Sequence, residues 1–139
     1  MFREIDIIKA IGVSLLIMAV NIAISIIVVA VYSFFIEPGR DVSFYEAAAK
    51  EIAPWSSVIA GPFLFYLALS WCTRKQPERH ALGFALAVFL SYMAVDLLII
   101  ASADAPRKIA VIITLSLTTK AVAAYKGARA AQAAIRNPQ

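Results

Sequence analysis

The sequence predicts an all-α protein: an integral membrane four-helix bundle, threaded up-down-up-down, with a short interfacial helix between spans 1 and 2. Three observations carry that prediction. The 139 residues are 62% hydrophobic and 16% charged, against roughly 45–50% and about 25% in soluble domains. The apolar residues collect into four long blocks nearly free of charge, more than one soluble core of this size could enclose. The connections between blocks are short and carry proline or glycine, which makes consecutive helices antiparallel neighbours. Residues 1–139 thus read as a single membrane domain.

The first span is expected over 10–35, "AIGVSLLIMAVNIAISIIVVAVYSFF", where ~26 helical residues reach about 39 Å and can cross with some tilt. It does not read as a cleaved leader. Glu4 and Asp6 sit in the leading segment, and the apolar run is far longer than a signal-peptide core. Pro38-Gly39 then breaks the helix.

A short helix is expected over 43–53, opened by a capping box of Ser43 and Glu46 and closed by Pro54. Phe44, Ala48 and Ile52 recur at helical spacing, and Glu46 and Lys50 form an i,i+4 pair. Phe44, Tyr45 and Trp55 would hold it at headgroup level.

The second span is expected over 56–72, with Gly61-Pro62 predicting a kink. Trp55 and Trp71 bracket it as interfacial anchors. The basic loop "TRKQPERH" leads to the third span, 81–102. "ADAPR" makes a tight turn into the fourth span, 108–125, and an alanine-rich helical tail, 126–139, continues into the cytoplasm with no apolar stripe to dock it.

Orientation follows from the cations. Arg3, Lys9, Arg74, Lys75, Arg79, Lys126, Arg129 and Arg136 fall on one side; Arg40, Lys50, Arg107 and Lys108 fall on the other. The positive-inside rule places both termini in the cytoplasm, as in a bacterial inner membrane. The net charge of +4 reflects those loops, and no basic run interleaved with aromatics suggests nucleic acid.

Cys72 and His80 are the only residues of their types. An intrachain disulfide and a His/Cys metal site are therefore not expected, nor is a cofactor. The chain has no nucleophile elbow, zinc-protease helix or phosphate-binding glycine loop, so no enzyme is expected.

Asp96 stands out. It sits ~22 Å along the third span, and a carboxylate inside lipid must face other helices or a wet cavity. Residues expected at its level suggest an intramembrane cluster of Asp96, Asn21, Ser25, Tyr66, Tyr92 and Thr114. Lys120 is expected about 11 Å nearer the inner face, where it would snorkel to headgroups instead of pairing with Asp96. Gly83, Ala87 and Ser91 form a small-residue row suited to packing within the chain or to a dimer seam.

The resulting expectation is a non-catalytic accessory or interaction subunit. It would bind the lipid bilayer and a membrane protein partner, or a second copy, through its helix faces, and no nucleic acid. The alternative is a homo-oligomeric transporter or channel in which Asp96 binds an ion or proton.

Overall fold

The computed structural model describes residues 4–77, 80–102 and 107–136. The expected turn over 103–107, Arg3 and Arg79 of the charge bias, and the tail beyond 136 lie wholly or partly outside the described residues.

Four α-helices account for nearly all of the described chain, with no strand among them: α1 (Glu4–Val31), α2 (Val42–Lys75), α3 (Ala81–Ser102) and α4 (Arg107–Arg136). A π-helical turn, Tyr32–Ile36, prolongs α1 and is closed by the Glu37 N–H donating to the Tyr32 carbonyl at 3.0 Å. The chain reverses at Pro38-Gly39, where Gly39 has φ +78°, a conformation that costs a residue without Cβ little. Tyr45 ties this turn together. Its hydroxyl accepts from the Arg40 backbone N–H (3.0 Å) and donates to the Glu37 carbonyl (2.7 Å). Arg40 also pairs with Glu37 at 3.1 Å and lies over the Phe44 ring.

The segment after the turn departs from expectation. The helix begins one residue early, at Val42, with Asp41 in the N-cap position and no side-chain cap bond, so the Ser43–Glu46 box does not form. Nor does Pro54 end it. The helix expected over 43–53 and the second span are one continuous α2 of 34 residues containing both Pro54 and Pro62. A proline deletes one ladder bond, but its own φ is helical, so well-packed flanking turns can carry a helix past it. The Glu46–Lys50 pair is also not formed among the described residues; Lys50 instead borders a groove.

α1 packs on α2 and α3, and α4 packs on the same two helices, most extensively on α2. Asn21 meets Ser57 and Ser33 meets Tyr45, so moving forward along α1 is moving backward along α2. Lys120 meets Ser57, and Gly127 lies against Tyr66, so α4 follows α2 in the same direction. The buried apolar centre contains Ile17, Met18, Phe65, Leu69, Phe84, Val88 and Tyr92. Phe65 and Tyr92 meet edge to face with ring centroids 5.1 Å apart, a geometry that adds to simple burial.

α4 contributes small residues to this centre. Ala124, Ala128 and Ala131 are buried, so the segment expected to leave the bundle at 126 stays packed as far as Ala131, with Gly127 against Tyr66 of α2, and residues 133–136 are exposed. The stripe that docks it is made of alanine and glycine, which allow close backbone approach without a large apolar side chain.

Three helical segments, Ile5–Ile36, Val42–Lys75 and Ala81–Ser102, are long and apolar enough to cross a membrane. The outer surface has the matching character: Ile8 is 70% and Phe35 82% exposed, among many other large apolar side chains. α4, the expected fourth span, is not among these three segments of the described residues.

Candidate functional site

Halfway along the helices, four elements deliver polar side chains to one point. α1 supplies Asn21, α2 supplies Ser57, α3 supplies Tyr92 and α4 supplies Lys120. Lys120 has no exposed surface. Its Nζ donates to Ser57 Oγ at 2.8 Å and to the Tyr92 hydroxyl at 3.1 Å, and lies 4.6 Å from the centre of the Tyr92 ring. Asn21 Nδ2 donates to the same two oxygens, at 2.8 and 3.4 Å. One turn nearer the Pro38-Gly39 end, Ser25 and Ser56 share a hydrogen bond of 2.6 Å.

Gly61 makes room for the amine. A Cβ built there would overlap Lys120 Cε, so the lysine stem occupies the space a larger residue would fill. Two buried polar atoms have no partner among the described residues: Asn21 Oδ1 and, one turn before Lys120, Ser116 Oγ. Buried polar atoms nearly always find partners, so these two leave unused hydrogen-bonding capacity around the amine.

Three expected members are here: Asn21, Ser25 and Tyr92. Two others are not. Tyr66 lies nine residues after Ser57, about two and a half turns, which puts it on the opposite side of α2. It is exposed there and lines an open groove together with Thr118, Thr119 and Val122. Thr114 is also exposed and returns its hydroxyl to the Ala110 carbonyl at 2.9 Å.

Asp96 stands one turn after Tyr92 on α3, half-buried, and makes no hydrogen bond or ion pair among the described residues. It is close enough to Lys120 for their charges to attract, but the amine bonds to Ser57 and Tyr92 instead.

Lys120 itself departs most from expectation: it does not snorkel. Its expected depth is counted along the fourth span from Lys108, and depth alone does not say which side of a helix faces its neighbours. Because α2 runs on to Val42, Ser57 lies near mid-helix, and the lysine beside it is far from either end. Ser56, Ser57 and Gly61 were likewise not anticipated. Gly83, Ala87 and Ser91 of the small-residue row are all half-buried, with Ala87 packed against the apolar centre.

Chemically, the cluster can hold one cationic or neutral amine among hydroxyls and an amide. The groups of a metal site are not gathered among the described residues. Compared with known family models, curated proteins and solved structures, the chain shows no match to any.

Proposed function

We propose that this chain is a non-catalytic interaction subunit of a bacterial inner membrane, threaded four times as an up-down-up-down bundle with both termini in the cytoplasm. The observation that carries the reading is Asp96: a carboxylate within the apolar α3, half-buried, with no hydrogen-bond or ion-pair partner among the described residues. Around it the surface of α3 is apolar, with Leu97, Leu98 and Ile99 exposed. An ionisable group at such a position has a functional partner by default. Lys120, whose charge acts on it, is engaged elsewhere. A basic residue on a second membrane protein would neutralise the carboxylate. α4 completes the fourth crossing because its least lipid-compatible side chain, Lys120, is turned inward and shielded.

The test is affinity capture of the tagged protein from its native membranes in mild detergent, with mass spectrometry of what accompanies it. Removing one member of a desolvated charge pair costs about 2–5 kcal/mol, so Asp96→Asn should lose a stoichiometric partner that wild type retains. Asp41→Asn, at the exposed turn, should keep it. A partner held equally by Asp96→Asn rejects the reading.

A second reading, a homo-oligomeric transporter or channel, draws on the proximity of Asp96 to the buried amine of Lys120. It predicts proton- or cation-dependent flux in liposomes that Asp96→Asn abolishes. Wild-type liposomes that pass nothing would exclude it.

A further inference from the structure

Between α1, the first half of α2 and α4 runs an open groove of about 950 Å³, near the upper end of the size range for ligand sites. Ile24 and Val28 form one wall, with Trp55 and Ile59 opposite. Ala60 lies at its deep end, close to the level of Ser57, and Lys50 and Glu51 lie toward its other end, with Ala47 one turn beyond them. Ten residues of helix separate Ala60 from Lys50, so the stretch of groove below the charged pair extends ~15 Å, half of a roughly 30 Å hydrocarbon layer.

That length selects the occupant. A transmembrane partner helix would need a seam crossing both leaflets, whereas this groove covers one. A single leaflet is the depth of a phospholipid's acyl chains. The rim carries charges of both signs side by side, and neither Lys50 nor Glu51 forms an ion pair among the described residues. An anionic lipid would meet Glu51 unfavourably, and a cationic one would meet Lys50 unfavourably. A headgroup with one phosphate and one ammonium satisfies both, and a primary ammonium, unlike the quaternary one of choline, can also donate hydrogen bonds to the Glu51 carboxylate.

We propose that the groove between α1, α2 and α4 is a binding site for a zwitterionic phospholipid of the ethanolamine class. Its acyl chains lie against Ile24, Val28, Trp55 and Ile59, its phosphate faces Lys50 and its ammonium faces Glu51. The site rests on the membrane threading proposed above and is independent of the Asp96 partner.

Native mass spectrometry tests this on the purified full chain after exchange against an equal mixture of phosphatidylethanolamine, phosphatidylcholine and phosphatidylglycerol. The expected result is one retained phosphatidylethanolamine per chain, in preference to the other two lipids. Ile59→Trp, at a position 65% exposed, should fill the groove and release the lipid. Leu67→Trp, 62% exposed and outside the groove, should keep it. Glu51→Gln should reduce the preference over phosphatidylcholine by about two- to five-fold, the scale of an exposed charge pair. Equal retention of the three lipids, or undiminished retention by Ile59→Trp, overturns the proposal. So does a dimer that Ile59→Trp converts to monomer, since the groove would then hold a second copy. Recovery of the chain in the soluble fraction without detergent would instead reject the threading itself.

Discussion

Replacing Lys120 with methionine is expected to raise the thermal midpoint of the purified protein, while replacing Tyr92 with phenylalanine lowers it. Lys120 is fully buried, and its two hydrogen-bond acceptors are neutral hydroxyls. Removing an ammonium from water costs several kcal/mol, which neutral acceptors only partly offset, and apolar replacement of buried ions is often stabilising by about 1–4 kcal/mol. Methionine has similar length, is flexible and fills irregular space. Ser57 and Tyr92 would not be orphaned, because Asn21 Nδ2 still donates to both. Tyr92→Phe keeps the ring, and with it the stacking on Phe65, but removes one of the two oxygens that hold the amine. Hydrogen bonds to charged groups contribute about 1.5–3 kcal/mol, and the loss should fall in that range. In the double variant Lys120→Met/Tyr92→Phe most of the penalty should disappear, because the amine that needed the hydroxyl is gone. Denaturation of the four proteins in one detergent measures the cycle. A Lys120→Met protein less stable than wild type by 1 kcal/mol or more would show that the amine is a structural strut.

The helices were largely legible because apolar runs and breakers are local signals. α3 spans Ala81–Ser102 as read, and α1 with its π-helical turn ends just before Pro38-Gly39. The junction at Pro54 was not legible, since whether a proline ends a helix or only weakens it depends on the packing of both flanks. That junction displaced what was measured from it: with α2 cut short, Ser57 fell at a span end and Tyr66 fell near mid-depth, whereas the level of Lys120 was counted along the fourth span from Lys108. A depth estimate also carries no information about which side of a helix a residue occupies, which is why Tyr66 and Thr114 entered the expected cluster. The burial of Lys120 did have a local signature. Ser116, Lys120, Ala124 and Ala128 recur every four residues on one face of α4, and a face otherwise built of small residues is one that packs. Helical phase, added to depth, would have put the lysine inside.

Glycine-to-alanine substitutions at three positions should give three different outcomes, set by what a new methyl group meets. At Gly12 it meets nothing within 4 Å, so Gly12→Ala should be neutral or stabilising by up to about 1 kcal/mol through helix propensity alone. At Gly127 it would approach the Tyr66 carbonyl oxygen to 2.7 Å and Tyr66 Cα to 3.0 Å. Those are backbone atoms of α2, which cannot move aside without moving the helix. Gly127→Ala should therefore push α2 and α4 apart across the widest contact in the molecule and cost about 1–3 kcal/mol, the usual range for overpacking. Gly61→Ala differs in kind, because the obstacle is the stem of Lys120. The amine must withdraw from Ser57 and Tyr92, leaving a charge buried beside fewer acceptors. Adding Lys120→Ala to Gly61→Ala should restore much of the loss, whereas adding it to Gly127→Ala should not, because the Tyr66 backbone would still be in the way. Thermal midpoints of the three single and two double variants separate these cases. Equal losses at all three glycines would mean that general helix effects, and not the Lys120 and Tyr66 contacts, govern how α2 and α4 meet.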